Sequence, residues 1–177
     1  MGDTLITVVA IFLAAILMLV FPLMSLAERT DDISQLAVQT ATTEFVDNVR
    51  TTGKMTLDDY EALLSDITAT GNTFSTEILI QQLDENPGVK TTQAEATKIG
   101  ENLYYNIYTT QVEEQLYDTG RINLKEGDIV TVTVRNTNQT IAQLLRNFIY
   151  VITGNDTYQI VGQHSGVVAV NGSTSQR

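Results

Sequence analysis

Residues 5–26 read LITVVAIFLAAILMLVFPLMSL, an apolar run interrupted only by Thr7 and Ser25, with Pro22 near its far end. As a helix rising about 1.5 Å per residue, the run covers about 33 Å, enough for a hydrocarbon core of about 30 Å. It reads as an uncleaved membrane helix over residues 1–27 that leaves the rest of the chain in water. Its rival reading is a discarded secretory signal, which needs a basic start, an apolar core of about 7–15 residues and a small-residue cleavage site. Here the start, Met1-Gly2-Asp3-Thr4, is acidic, the run is longer, and Ser25-Leu26-Ala27 matches a cleavage site poorly. Myristoylation at Gly2 needs Ser or Thr at position six, where Ile6 stands.

Beyond the run, all ten Lys and Arg face twenty of the chain's 21 acids, and the net charge is −11. That balance argues against nucleic acid, which wants clustered basic residues, and against lying flat on an anionic lipid surface. With no cysteine there is no disulfide and no thiol chemistry. Arg29 is the one basic residue close to the run, so the positive-inside rule has little to read. The short N-terminal stub, single span and acidic domain point to an extracytoplasmic domain.

The helical pattern continues past Leu26. Ile33, Leu36, Ala37, Ala41, Phe45 and Val49 recur at steps of three and four, with Asp32, Gln35, Gln39, Asp47 and Arg50 between them. Residues 28–53 therefore read as an amphipathic stalk, one rod with the span, stopped by Gly53 and bent at Pro22. Residues 54–171 read as a soluble domain and 172–177 as a polar tail. Thr56 and Asp59 form a capping-box pattern ahead of a helix with Leu57, Tyr60, Leu64 and Ile67 on one face. Residues 74–83 alternate as a strand, and Asp84-Glu85-Asn86-Pro87-Gly88 reads as a turn. In 92–118 the spacing of Tyr104, Tyr108, Val112 and Leu116, reinforced by Leu103 and Ile107, predicts one helix. Lys125-Glu126-Gly127-Asp128 then turns into a strand over 129–135, with Val130, Val132 and Val134 on one face. Thr137 or Asn138 caps a further helix with Ile141, Leu144, Leu145, Phe148 and Ile152 as its stripe, the most buried helix of the soluble part. Two short strands, 157–162 and 167–171, meet near His164-Ser165-Gly166. The fold class is α+β: a long N-terminal helix on a small mixed domain with about four strands and three further helices.

Candidate chemistry is sparse. One histidine and no cysteine cannot build a structural zinc site. His164 and Ser165 are neighbours whose side chains point apart on an extended chain, so a nucleophile–base pair is sterically poor. Asp58, Asp59 and Glu61 fall in the first turn of a helix, where the macrodipole favours acids. Asp84-Glu85-Asn86 offers oxygen ligands without the spacing of a calcium loop, so it reads first as a turn. Asn138, Asn155 and Asn171 open glycosylation sequons. No phosphate-binding or nucleophile-elbow motif occurs, and no catalytic residue, metal, cofactor or small-molecule substrate is assigned. Tyr104, Tyr105 and Tyr108 form a candidate partner face, against the plainer reading of half-buried core with hydroxyls at the rim. Leu5, Ile6, Leu13, Leu17, Phe21 and Leu26 are the candidate anchor and packing residues. Asp3, a carboxylate beside the run, is a candidate assembly charge or an interface marker.

An apolar helix running into an amphipathic one and then into a small α+β domain resembles the type IV pilin-like proteins. Length and single span resemble most the larger minor pilins of Tad-type (tight adherence) pili, and Pro22 is similar to the proline that bends pilin stalks. Residues 70–74, 84–88 and 154–158 also resemble uncharacterised Gram-positive membrane-anchored surface proteins. The chain departs from the pilin pattern at its start: only Met1-Gly2 precedes Asp3, and Thr7 stands where the family's glutamate would fall after a cut at Gly2. The resemblance implies a non-enzymatic subunit that sits in the bilayer and then packs against copies of itself or other pilin-like subunits. The alternative is a single-pass membrane protein whose domain binds a ligand or partner without forming filaments.

Overall fold

The computed structural model describes residues 2–83, 104–150 and 159–172. The first element, α1 (Gly2–Thr52), is one helix that contains Pro22 without interruption. Proline has no N–H, so the Met18 carbonyl loses its partner there, yet the helix is carried on by its neighbours on both sides. It ends where the sequence places the stop: Gly53 takes φ +66°, and its N–H donates to the Val49 carbonyl at 2.9 Å. The rod expected from span into stalk is therefore present.

After α1 the order is β1 (Lys54–Thr56), α2 (Leu57–Thr68), β2 (Phe74–Leu83), β3 (Tyr104–Tyr108), α3 (Thr109–Thr119), β4 (Arg121–Asn123), β5 (Ile129–Asn136), α4 (Ile141–Tyr150) and β6 (Val161–Val167). The main sheet is antiparallel in the order β3-β2-β5-β6, and β1 pairs with β4 in a second, small sheet. Helices cover one face of the main sheet. Ile78 and Ile80 of β2 and Val130, Val132 and Val134 of β5 are buried on that face. Val38, Val46 and Val49 of α1, Tyr60, Leu63 and Ile67 of α2, and Val112 and Leu116 of α3 complete the core. Burial of these side chains, each about 1.5–3 kcal/mol, is the main stabilising contribution. The architecture is the expected α+β fold; the described residues hold three helices beyond α1, as expected, and six strands rather than about four.

Local chemistry explains the boundaries. The capping box at α2 is complete: Thr56 Oγ1 accepts from the Asp59 N–H at 3.2 Å, and Asp59 Oδ2 accepts from the Thr56 N–H at 3.3 Å. The turn at 125–128 is closed by Asp128, which is buried and accepts from the N–H groups of Lys125 (2.8 Å) and Leu83 (3.1 Å).

Five further expectations need correction. Residues 104–108 are strand rather than helix, and α3 begins only at Thr109. A spacing of four is even, so Tyr104 and Tyr108 satisfy a two-residue period as well as a helical one, and pairing with β2 decides between them. The stalk buries Asp31, Ser34, Val38, Thr42, Phe45, Val46 and Val49, while Ile33 and Leu36 are 62% and 68% exposed. Ser34 and Thr42 can be buried because their hydroxyls donate to the carbonyls of Thr30 (3.0 Å) and Val38 (2.7 Å) on the preceding turn. The helix at 141 is capped by Thr140, with Gln143 donating its N–H to Thr140 Oγ1 at 3.2 Å and accepting the Thr140 N–H at 3.1 Å. Of its described side chains Ala142 alone is buried, and Ile141 is 70% and Leu144 53% exposed, against the expectation of the most buried helix; the side chain of Phe148 and residue Ile152 lie outside the described residues. Finally, the expected pair of C-terminal strands is a single strand, β6, running straight through His164-Ser165-Gly166. The predicted turn at 84–88 with its calcium reading, the helix prediction over 92–103, and the sequon at Asn155 lie outside the described residues.

Two predictions follow from the core. Gly53 faces the backbone of Val170 and Gly172, and a Cβ there would overlap both in addition to straining a positive φ. Gly53→Ala is expected to cost about 2 kcal/mol or more, read as a lowered urea midpoint of the detergent-solubilised chain. Tyr60 donates its hydroxyl to Glu113 Oε1 at 2.6 Å, and burial, then Glu113, push its pKa up from the ordinary tyrosine value. The unfolded chain therefore loses this proton first, so the contribution of Tyr60 is full below about pH 10 and falls as pH rises further. Tyr60→Phe should flatten that alkaline loss; an unchanged stability profile between about pH 9 and about pH 11 would contradict it.

Candidate functional site

The first half of α1 projects from the domain. Its most apolar window has a mean hydropathy of 2.9 with none of its residues buried, so α1 is long and apolar enough to cross a membrane. Leu5, Ile6, Leu13, Leu17, Phe21 and Leu26 are all exposed along it. Thr7, the polar exception, donates its hydroxyl to the Asp3 carbonyl at 2.8 Å and so satisfies it within the helix. Asp3 lies in the first turn, where unpaired N–H groups favour a carboxylate.

The second half of α1 is locked to the domain by a polar stripe. Glu28, Asp31, Gln35 and Gln39 recur at steps of three and four, on one helical face. Glu28 Oε1 accepts from Arg146 Nε (3.3 Å) and Nη2 (3.2 Å) of α4. The buried Asp31 accepts from Thr140 Oγ1 at 2.6 Å. Gln35 bonds Val161 twice, its Nε2 donating to the carbonyl (2.6 Å) and its Oε1 accepting the N–H (2.9 Å). Gln39 Nε2 donates to the Gln163 carbonyl at 3.3 Å. The side chains of α1 thus serve as partners for the edge strand β6, whose backbone groups would otherwise face water or another chain. Close approach is possible because β6 turns Gly162 and Gly166 toward α1: a Cβ at Gly162 would stand 2.8 Å from Val38 Cγ1, and one at Gly166 2.9 Å from Arg50 Cδ.

This stripe escaped the sequence reading, which set Gln35 and Gln39 among the polar residues between the apolar positions. The available signal was the regular spacing of 28, 31, 35 and 39. His164 sits mid-strand opposite Val132 rather than in a turn, with Nε2 3.7 Å from Asp47 Oδ1. Ser165 points to the other face and shares a hydrogen bond with Thr131 at 2.8 Å, so the two do not converge. Among the described residues no group of three or more His, Cys, Asp or Glu could hold a metal ion. Asn138 and Asn171 have structural partners: Asn138 Oδ1 accepts from the Thr73 N–H (2.9 Å), and Asn171 Oδ1 from that of Glu126 (2.8 Å).

The three tyrosines do not form one helical stripe. On β3, Tyr104 and Tyr108 alternate with Tyr105, which bonds Gln82 through its hydroxyl. All three are exposed, Tyr104 and Tyr108 on the sheet face away from the helices. Compared with protein-family models, curated proteins and solved structures, the chain matches none.

The Gln35 amide replaces two strand bonds at once, so Gln35→Ala is expected to destabilise the domain by about 1–2 kcal/mol. Amide hydrogen exchange at Val161 should accelerate in the same variant, and unchanged protection there would show that Gln35 is not its partner.

Proposed function

We propose that the chain is a non-enzymatic, membrane-anchored surface protein: a pilin-like or pseudopilin-like subunit that assembles through α1, with its domain on the extracytoplasmic side. The observation that carries this reading is the exposure along one continuous helix. The apolar surface does not end with the span: Leu26, Ile33 and Leu36 follow at steps of seven and three, all exposed. A simple anchor has no use for Ile33 and Leu36 in water, whereas a helix that packs against other helices after leaving the bilayer does. The resemblance of the helix-plus-α+β layout to Tad-type pilins adds to this reading as an analogy of fold.

In this role Leu5, Ile6, Leu13, Leu17, Phe21 and Leu26 face lipid first and neighbouring helices later. Asp3 supplies a charge for a neighbour, such as its α-amine, and Pro22 offers a place to bend. Leu13→Lys and Leu17→Lys together place two cations near mid-span at about 2.5–3.5 kcal/mol each, and the double variant should leave the membrane fraction. Retention there would defeat the anchor reading. Asp3→Ala and Ile33→Glu should leave single copies in the membrane but abolish cross-linked oligomers. The exposed Tyr104 and Tyr108 favour a second reading, a domain that binds a partner without filaments; under it, neither substitution changes the oligomeric state.

A further inference from the structure

We propose that α4 is a second membrane contact, seating Ile141 and Leu144 in the headgroup–acyl boundary of the bilayer that α1 spans. The proposal rests on the anchor reading of α1. Three faces of α4 are distinguishable. Ala142 is buried, and Arg146, one turn on, reaches Glu28 of α1. Gln143 and Asn147 line a polar cleft with Asn136, Asn138 and Gln159. Ile141 and Leu144, with half-buried Leu145 beside them, form the third face and stand largely exposed. In a soluble helix that third face would be the one turned to the core.

The position of α4 supplies the missing partner. Its cap, Thr140, is bonded to Asp31, and its sixth residue, Arg146, is bonded to Glu28. Passing along α4 thus means descending α1 toward the span. Ile141 shares a groove with Ala27 and Thr30. Asp31 lies five residues beyond Leu26, about 7.5 Å along an uninterrupted helix. The headgroup layer of one leaflet is about 5–8 Å thick, so the exposed face of α4 lies at its level. Because α1 has no break between Leu26 and Asp31, the domain cannot be carried away from that surface. Arg146 is engaged by Glu28, and the exposed Arg29 is outnumbered by Asp31 and Asp32. The contact is therefore apolar rather than electrostatic and suits uncharged lipid headgroups, as for an interfacial amphipathic helix.

The chain contains no tryptophan, so a single introduced one reports its own surroundings. The full chain would be reconstituted in phosphatidylcholine vesicles with and without bromine on the acyl chains. Four variants are compared: Leu13→Trp in the span, Ile141→Trp and Leu144→Trp on α4, and Tyr117→Trp on the exposed side of α3. Insertion to the expected depth of about 5–10 Å should give both α4 variants blue-shifted emission and about twofold quenching by brominated lipid. Tyr117→Trp should show neither. If Leu13→Trp is quenched and both α4 variants behave like Tyr117→Trp, the α4 proposal is overturned and the anchor reading stands. If Leu13→Trp itself is unquenched, both fall. Blue-shifted but unquenched α4 emission that reverts on dilution of protein in lipid would assign the face to a second copy, which also overturns the proposal.

Discussion

The seating of α1 on β6 is the constraint on which the remaining structure depends. An edge strand normally needs a neighbour, and here a helix takes that place. The substitution works only because two conditions hold together. Gly162 and Gly166 remove the side chains that would keep the helix at its usual distance. Gln35 then reaches the Val161 backbone with both ends of its amide, as a neighbouring strand would. With β6 fixed, β5 has a partner on each side, and its valines are buried beneath the helices. The C-terminal segment continues the attachment, since the Ala169 N–H donates to the Arg50 carbonyl at 2.9 Å and that of Gly172 to Leu124 at 2.8 Å. Residue 172, read from sequence as the start of a polar tail, is thus still tied to the domain.

The sequence was most legible where one local rule acted alone. The apolar run, the stop at Gly53, the capping box at Thr56 and the alternation of Val130, Val132 and Val134 each express a short-range preference that tertiary contacts left intact. It was least legible where two elements share a decision. The buried face of the stalk is a case in point. Hydrophobicity selects Ile33 and Leu36, but the face turned inward carries Ser34 and Thr42, whose hydroxyls are satisfied within the helix, and a Cβ at Gly162 would stand 2.9 Å from Thr42 Oγ1. No periodicity within residues 28–53 contains that information, because for Thr42 it resides in residue 162. The strand at 104–108 failed for a different reason. Its spacing was equally valid for two structures, and the backbone of β2 made the choice.

The candidate site was legible in part. The apolar residues of 5–26 were visible as a run, and they stand exposed on α1. The stripe of Glu28, Asp31, Gln35 and Gln39 was hidden because polar residues on an amphipathic helix are ordinarily assigned to water. Its regular spacing distinguishes it from a solvated face only once a second surface with exposed backbone groups is known to lie opposite. Similarly, α4 was read as deeply buried because its composition is apolar. Composition measures the wish to leave water; it does not say whether the shelter is the domain core or something outside it.

These locks also fix direction. A helix can rotate about its axis without losing internal hydrogen bonds, so continuity alone would leave the projecting half free to present any side. Rotation is prevented by contacts spread along the stalk: Glu28 and Asp31 on α4 and its cap, Gln35 and Gln39 on β6, and the Val38–Gly162 approach. A one-residue slip would turn α1 by about 100° and move every one of these groups off its partner. The exposed line through Leu26, Ile33 and Leu36 therefore has a set orientation relative to the sheet. On the proposed assembly, a neighbour that packs along that line meets the domain at one angle only. The glycines of β6 would then govern the shape of the assembly without touching any neighbouring subunit, because they determine which side of α1 is left for it.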